Sequence, residues 1–244
     1  MVTVAHQIGR LRLVVAAGTE VGHRYRSNFD VLHVDPAVPL IVVADGMGDG
    51  EGSRMASRTA VDTVVAAMSA EAPTGVALRR AVDLAQIAVR TAGAPLVDLA
   101  GCTLTALLAG PEDAWIVQIG DSRAYRLRDG VLELLTVDHT MAWLGAVNGW
   151  YAADSAQAAR ARYHLLRYVG DRARSEPDVL NVSLRPGDVY CLCTDGVTDQ
   201  VPYQRLASVL AGRDPAAAVG RLLADSIDAG GRDNATVAVV HVSA

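Results

Sequence analysis

The 244-residue chain is 51% hydrophobic and carries a formal net charge of −5, which suits one domain with a sizeable core. The acidic balance disfavours nucleic-acid binding, which requires basic stripes. All 22 basic residues are arginines, which excludes lysine chemistry such as a Schiff base or a P-loop. We expect a single domain over residues 1–244 that is monomeric, with neither a nucleic-acid nor a membrane partner.

Apolar periodicity predicts the secondary-structure elements. In the first helix, apolar residues recur at i, i+3, i+4 and i+7, and Asp214 before Pro215 is typical of the start of the last helix. The predicted strands are Leu11 to Ala16, Val31 to Val34, Leu40 to Ala44, Leu104 to Leu108, Trp115 to Ile119, Ala124 to Leu127, Val189 to Cys193 and Thr236 to Val242. The predicted helices are Ser53 to Ser69, Thr74 to Ala92, Ala152 to Arg167, Tyr203 to Leu210 and Pro215 to Ile227.

The order of these elements indicates the fold class. The short connection Gly120 to Arg123 predicts a hairpin between the strands Trp115 to Ile119 and Ala124 to Leu127, which requires antiparallel neighbours. Strands come in clusters with paired helices inserted, not in strict alternation. We therefore expect an α+β fold and not a doubly wound parallel sheet.

The amino terminus and the cysteines bear on location. Residues Met1 to His6 lack a basic region followed by an apolar stretch, so no signal peptide is expected. No apolar run approaches the roughly 18 residues of a membrane span. Cys191 and Cys193 lie two apart on a predicted strand and face the same side, and Cys102 lies far from both. Buried reduced thiols in a cytoplasmic protein are expected.

Four motifs each place an aspartate beside a predicted strand, so the carboxylates meet at one rim if those strands share a core. Two unit charges about 4 Å apart repel by roughly 4 kcal/mol at an effective dielectric near 20, and such a cluster calls for cations. Oxygen ligands without a His or Cys cluster favour Mg²⁺ or Mn²⁺, as in a metal-dependent hydrolase. The four motifs are Val43–Gly48, Gly120–Arg123, Cys193–Asp199 and Arg232–Thr236.

In order and spacing, these motifs resemble the protein phosphatase 2C family of metal-dependent Ser/Thr phosphatases, bacterial type. The resemblance runs from about Gly18 to Val242 and includes two further motifs, Gly101–Thr103 and Leu135–Thr140. It implies a four-layer α-β-β-α sandwich, in which two antiparallel sheets are flanked by helices and metals bind at one edge.

The resemblance also implies a ligand set for two core ions. Asp45 is expected to bridge both ions, the Gly46 carbonyl to bind one of them, and Asp195 and Asp233 to complete one shell. Such a pair of metals lowers the pKa of a bridging water, which then attacks phosphorus without a phosphoenzyme.

A third, weaker ion is implied at Asp121, Asp195 and Asp199, because these positions match those of bacterial members. Asp195 and Asp199 are four residues apart, so one helical turn would place them on one face. Asp30 and Asn234 are expected to support the ligands without binding the ions.

The phosphate calls for an arginine, because its planar fork matches phosphate oxygens. Arg24 is our choice and Arg26 the alternative, since strict spacing places Tyr25 where the family carries its arginine. Two departures are visible: Phe29 replaces the usual glutamate, and Asp49-Gly50 stands where bacterial members usually have Gly-His.

The expected function is hydrolysis of phosphoserine and phosphothreonine in proteins, in signalling that opposes Ser/Thr kinases. A regulatory pseudophosphatase and a small-molecule phosphomonoesterase are the alternatives. By resemblance, the 141–167 segment is a flap beside the active site. Its aromatic residues Trp150 and Tyr151 either contact a protein substrate or anchor the flap to the core.

Overall fold

The computed structural model describes residues 1–69, 73–96, 99–110, 113–212 and 214–244. Its strands are β1 (Val2–Ile8), β2 (Leu11–Glu20), β3 (Val31–Val34), β4 (Leu40–Ala44), β5 (Leu104–Ala109), β6 (Asp113–Ile119), β7 (Arg123–Arg128), β8 (Val131–Leu134), β9 (Asp178–Ser183), β10 (Val189–Cys193) and β11 (Ala235–Ser243). Its helices are α1 (Glu51–Met68), α2 (Gly75–Gly93), α3 (Met141–Val147), α4 (Ala156–Ala161), α5 (Asp195–Thr198), α6 (Tyr203–Leu210) and α7 (Pro215–Asp228).

Two antiparallel sheets form the centre of the protein. A six-stranded sheet has the order β1-β2-β11-β10-β7-β8, and a five-stranded sheet has the order β3-β4-β5-β6-β9. Every adjacent pair in both sheets is antiparallel.

Strand β4 shows why four layers form. All of its residues are buried, and successive side chains point to opposite faces of the sheet. Ile41 and Val43 pack in the cluster between the two sheets, whereas Leu40 and Val42 pack with α1 and α2 on the outer face. On the far side, α6 and α7 cover the six-stranded sheet. The α-β-β-α sandwich implied by the resemblance is confirmed.

The predicted hairpin between Trp115 to Ile119 and Ala124 to Leu127 is wrong. Strand β6 pairs with β5 and β9, whereas β7 pairs with β10 and β8 in the other sheet. The connection around Asp121 therefore crosses from one sheet to the other. A short polar link between two apolar runs looks the same in sequence whether the strands pair or separate, so local pattern cannot decide between them.

The predicted helix from Ala152 to Arg167 is also wrong in extent. Only α4 is helical, and it starts where the Ser155 hydroxyl accepts a hydrogen bond from the Ala158 N–H at 3.1 Å. The chain then turns back through bends, and Leu165 forms an isolated bridge with Thr140. The apolar spacing that predicted one long helix serves a short helix followed by this return segment.

Several further elements were not predicted from the sequence, namely β1, β8, β9, α3 and α5. The prediction for the thiols is confirmed in one respect, since Cys102, Cys191 and Cys193 are free and buried. None of the helices in the described ranges has the length and apolar character needed to cross a bilayer.

Candidate functional site

The strand register brings the four acidic motifs to one end of the sandwich. Val43 of β4 pairs with Thr105, and Ile119 of β6 pairs with Leu104, so β4 and β6 end at the same edge. In the other sheet, Cys193 at the end of β10 pairs with Val237 near the start of β11. The aspartates just beyond these strand ends therefore converge.

They converge on a cleft of about 420 Å³. The cleft brings together the sequence-predicted residues Arg24, Asp45, Gly46, Asp121, Asp195 and Asp233. Asp199 lines a smaller adjoining cavity of about 120 Å³, which shares Arg24, Asp195 and Asp233 with the cleft. Asp30 and Asn234 are buried behind the cleft wall and line neither cavity.

Asp45 is held to the five-stranded sheet through its backbone. Its N–H donates to the Thr103 hydroxyl at 3.0 Å, and its carbonyl accepts from the Thr103 N–H at 2.8 Å. The Thr103 hydroxyl lies 2.7 Å from that of Ser122, next to Asp121. One hydroxyl pair thus links the segments that carry Asp45 and Asp121.

Only glycine fits at position 46. A Cβ there would lie 2.5 Å from the Ser53 hydroxyl oxygen and 2.9 Å from the Phe29 carbonyl oxygen. The chain after Asp45 therefore lies tightly against the start of α1, and its position is fixed by this close approach.

The turn that presents Asp121 is fixed by His139. The Gly120 N–H donates to His139 Nδ1 at 3.2 Å, and the His139 N–H donates to the Gly120 carbonyl at 2.9 Å. His139 Nε2 in turn lies 3.1 Å from an Asp178 oxygen. His139 belongs to the Leu135–Thr140 motif, which signalled its importance in the sequence without indicating this contact.

Asp30 supports the strand ends of the six-stranded sheet. It is 7% exposed, and its Oδ2 accepts hydrogen bonds from the Thr194 and Thr236 hydroxyls at 2.9 and 2.7 Å. Its Oδ1 has no hydrogen-bond partner among the described residues. Burial, opposed by these two hydrogen bonds, raises the pKa of Asp30 to about 8. Thr194 directly precedes Asp195, so Asp30 braces that ligand candidate.

Asn234 ties the arginine-bearing loop to β11. Its Oδ1 accepts from the Phe29 N–H at 2.7 Å, and its Nδ2 donates to the Val21 carbonyl at 2.7 Å. Both ends of the loop that carries Arg24 are therefore fixed beside Asp233.

The two candidate arginines of this loop differ in position. Arg24 lines both cavities, and its guanidinium carbon lies 4.9 Å from the centre of the Tyr25 ring, a favourable cation–π distance. Arg26 is exposed and lines neither cavity.

The Phe29 ring is buried away from the cleft. It is 6% exposed and packs edge-on against Tyr25, with ring centres 5.7 Å apart. The position where the family carries a glutamate thus serves packing in this chain.

The carboxylates of the cleft destabilise one another's charged forms. Burial, followed by the charges of nearby aspartates, raises the pKa of Asp45 and of Asp121 well above the usual range. The same causes raise the pKa of Asp195 to about 7. Burial also raises the pKa of Asp233, and Arg24 opposes this shift. A bound cation would remove the repulsion.

The donor set fits hard divalent ions. It consists of carboxylate oxygens and one backbone carbonyl, and Asp195 Oδ1 is buried with no hydrogen-bond partner among the described residues. As the side chains stand, no three His, Cys, Asp or Glu residues of the described ranges are arranged to hold an ion. A carboxylate can move between staggered rotamers about χ1, so this arrangement is compatible with the ion that the donor chemistry favours.

Sequence reasoning missed Arg162 and Tyr163, which line the cleft from the 141–167 segment. Arg162 Nη1 lies 2.7 Å from Asp199 Oδ1. The sequence predicts a continuous helix from Ala152 to Arg167, and a continuous helix gives no indication that the chain after α4 turns into the cleft.

Within the same segment, Tyr151 is an anchor, because its hydroxyl donates to the Met141 carbonyl. Trp150 by contrast is 59% exposed.

Comparison with known proteins identifies the family to which the chain belongs. The model of the family "Protein phosphatase 2C" matches residues 18–222. The chain is 31% identical over 243 residues to the serine/threonine protein phosphatase PstP of Mycobacterium tuberculosis, and the match covers 96% of this chain and 46% of that protein. It is 28% identical over 239 residues to the serine/threonine phosphatase stp of Listeria monocytogenes, with 91% of each chain covered. The chain thus spans about half the length of the mycobacterial relative.

Solved structures agree with this similarity. The catalytic domain of PstP in complex with two manganese ions matches with a TM-score of 0.85 at 30% identity, covering 96% of this chain and 100% of that one. The phosphatase MsPP of Mycobacterium smegmatis, solved with cacodylate, matches with a TM-score of 0.82 at 33% identity, covering 93% and 97%.

Proposed function

The chain belongs to the protein phosphatase 2C family, and from that premise we propose that it hydrolyses phosphoserine and phosphothreonine in proteins with the aid of divalent metal ions. The observation that carries the proposal is the cleft in which Arg24 faces Asp45, Asp121, Asp195 and Asp233. Anionic ligands alone would repel a phosphate, so this arrangement suits a phosphate only when cations lie between them.

The residues that would hold two core ions are Asp45, the Gly46 carbonyl, Asp195 and Asp233. Mg²⁺ and Mn²⁺ both fit oxygen donors of this kind, and the manganese-bound relative supports the proposal. Bound there, the ions would supply charge stabilisation and lower the pKa of a water. A third, weaker ion would be held by Asp121, Asp195 and Asp199.

Residues of the chain itself would bind and orient the phosphate. Arg24 would grip two phosphoryl oxygens, since its guanidinium lies at the junction of both cavities. The oxygen of a water molecule would form a bond to phosphorus, the bond from phosphorus to the seryl or threonyl oxygen would break, and one proton of that water would end on the leaving oxygen. The free hydroxyl and inorganic phosphate are then released.

A covalent route through the protein has poor support. Burial raises the pKa of the Cys102 thiol far above neutral pH, so it holds its proton. The hydroxyls of Thr103 and Ser122 are hydrogen-bonded to each other. Water as the nucleophile agrees with these contacts.

The wider role follows from the same premise. We propose that residues 1–244 form one catalytic domain and that this domain is monomeric. Its role would be to oppose Ser/Thr kinases in cytoplasmic signal transduction. The three free cysteines agree with a reducing compartment.

A metal-dependent phosphopeptide assay tests the proposal. We expect phosphate release from phosphothreonine and phosphoserine peptides in millimolar Mn²⁺ or Mg²⁺, and no release after chelation by EDTA. Undiminished turnover after thorough chelation would contradict metal dependence.

One observation favours a second candidate, a pseudophosphatase that binds phosphoproteins without turnover: Phe29 leaves the family's glutamate position without a carboxylate. Binding of phosphopeptides without hydrolysis of either the peptides or p-nitrophenyl phosphate, at saturating Mn²⁺, would identify it.

A further inference from the structure

A second groove meets the cleft at Leu99. We call it the α2 groove. Its volume is about 780 Å³, and its described walls come from the end of α2, from Leu96, Leu99 and Ala100, and from the loop 168–172. The side chains that the inference uses are Arg90, Leu96, Leu99, Tyr168, Asp171 and Arg172.

The α2 groove is continuous with the candidate active site. Leu99 lines both spaces and is 55% exposed. A Cβ built on Gly101 would lie 2.8 Å from the Tyr168 ring in the groove and 3.0 Å from Met47 Sδ in the cleft. One thin wall therefore separates the two spaces, and a chain lying in the cleft can continue past Leu99 into the groove.

The walls of the α2 groove are fixed in place by a buried side chain. Gln86 of α2 is fully buried, and its Nε2 donates to the carbonyls of Tyr168 and Ser175 at 3.1 and 3.2 Å. Its Oε1 accepts from the Gly170 N–H at 2.7 Å. Both the oxygen and the nitrogen of this amide hold the 168–175 loop against α2, so the groove is preformed. Ligand binding would therefore not carry the free-energy cost of ordering this loop.

The charge of the α2 groove is basic, in contrast to the acidic chain as a whole. Arg90 and Arg172 are exposed and have no ion-pair partner among the described residues. The acidic side chain of the described wall, Asp171, accepts from the Ala173 N–H and the Ser175 hydroxyl. Two arginines are thus available to a ligand, beside the apolar surface of Leu96, Leu99 and Tyr168.

We propose that the α2 groove docks the segment of a phosphoprotein substrate that flanks its phosphorylated residue, and that it selects acidic residues in that segment. The inference rests on the proposed phosphatase function. Continuity with the cleft identifies the occupant as the substrate chain, since a segment that enters one space at Leu99 meets the other. The two arginines set its charge, and the neighbouring apolar side chains accommodate one hydrophobic residue beside the acidic ones.

Paired peptides and a matched pair of charge reversals test the proposal. Each peptide carries one phosphothreonine, and the peptides differ only in the flanking residues. Two acidic series have Glu on one side or on the other side of the phosphothreonine, and the neutral series have Ser at the same positions. Kinetics are measured in Mn²⁺, and binding is measured by anisotropy, also in Mn²⁺, with fluorescein-labelled peptides in which a non-hydrolysable phosphonate replaces the phosphate ester. In the wild-type protein we expect kcat/KM and affinity to favour one acidic series by about fivefold, a scale typical of two exposed charge pairs, and the preference to shrink with added salt.

The variant Arg90→Glu/Arg172→Glu should abolish or reverse that preference while leaving hydrolysis of p-nitrophenyl phosphate unchanged, because this small substrate does not reach the groove. The milder Arg90→Gln/Arg172→Gln should show about half the effect. The matched control is Arg79→Glu/Arg174→Glu, which reverses the same charge on α2 and the same loop but outside the α2 groove. It should retain the wild-type preference.

Equal kcat/KM and equal affinity for acidic and neutral peptides in the wild-type protein would overturn the inference while leaving the phosphatase function intact. An equal loss of preference in the control variant would also overturn it, because the effect would then come from overall charge. Conversely, preferential binding of the acidic peptide that depends on Arg90 and Arg172, with no hydrolysis of any substrate, would uphold the groove and refute the phosphatase function.

Discussion

The two walls of the cleft are built in different ways. On one wall, Asp45 and Asp195 follow strands β4 and β10 within two residues, and buried hydroxyls of Thr103 and Thr194 hold the neighbouring backbone. On the other wall, Arg162 follows the six-residue helix α4 in a segment with few buried side chains. The difference suggests a division of labour, in which the strand wall fixes groups that must not move and the 141–167 segment supplies groups that adapt to a substrate.

The largest expected effect lies on the strand wall. Asp45→Asn should lower kcat roughly 100-fold or more, about 2.7 kcal/mol or more of transition-state stabilisation, because the charge that would hold both core ions is lost. The fold should survive, and the metal-free protein should gain thermal stability because repulsion among the carboxylates is relieved.

Steady-state kinetics in Mn²⁺ and melting curves in EDTA check both parts. Asp49→Asn is the matched control, because it removes the same charge four residues along the chain from Asp45. Asp49 is exposed and does not line the cleft, so this variant should retain wild-type kcat. If Asp45→Asn keeps more than a tenth of wild-type kcat, the metal-bridging role is wrong.

The next effect concerns the arginine that faces the strand wall. Arg24→Ala should raise KM and lower kcat together, by roughly 2–4 kcal/mol in kcat/KM, as expected for one strong electrostatic contact to the phosphoryl group. Arg26→Ala should change kcat/KM by less than about 0.5 kcal/mol, since Arg26 lies outside both cavities. If Arg26→Ala is the damaging variant, the register of this loop has been assigned wrongly.

A residue of this site could be predicted from the sequence where its position is set by its neighbours in the chain, and could not where it is set by contacts with distant residues. Asp45 and Asp195 follow continuous apolar runs, and the short length of the run Leu40 to Ala44, with its three β-branched residues, favours a strand. The choice between Arg24 and Arg26 needed the fold, because the loop conformation depends on Asn234, more than two hundred residues away. Arg162 could not be predicted, since its place in the cleft depends on where α4 ends.

The same reason explains the misread hairpin. Strand periodicity identifies β6 and β7 but carries no information on which strands pair, which is set by contacts between distant segments. The sequence therefore located Asp121 in a turn after a strand, whereas the crossing between sheets that aims it at Asp195 emerged only from the structure.

A smaller effect, on stability, should arise from pH. The pKa values of Asp30 and Asp195 in the folded, metal-free protein are raised to about 8 and about 7. A group whose folded pKa is raised contributes stability that is present in full below its unfolded pKa, near 4, and is lost as pH rises through the folded pKa. The metal-free protein should therefore melt at a higher temperature at pH 5 than at pH 8, by several degrees, about 2–4 °C for each kcal/mol.

Saturating Mn²⁺ should remove most of this difference by stabilising the charged carboxylates at pH 8. Melting curves at both pH values, with EDTA and with Mn²⁺, give the four numbers required. Equal melting temperatures in EDTA would show that the pKa values of Asp30 and Asp195 are not raised in the folded protein.

The smallest expected effect is on stability, and it distinguishes the side chain that anchors the 141–167 segment, Tyr151, from the exposed side chain next to it, Trp150. Tyr151→Phe removes the hydroxyl that donates to the Met141 carbonyl and should cost about 1 kcal/mol, a fall of roughly 2–4 °C in Tm for a protein of this size. Trp150→Ala, next to it in the chain, should stay within about 0.5 kcal/mol of the wild type, because Trp150 is 59% exposed. Both variants should hydrolyse p-nitrophenyl phosphate at the wild-type rate, since the strand wall is untouched. If Trp150→Ala is instead the destabilising change, or if Tyr151→Phe lowers kcat as much as Arg24→Ala does, then the 141–167 segment is part of the rigid site and the contrast between the two walls does not hold.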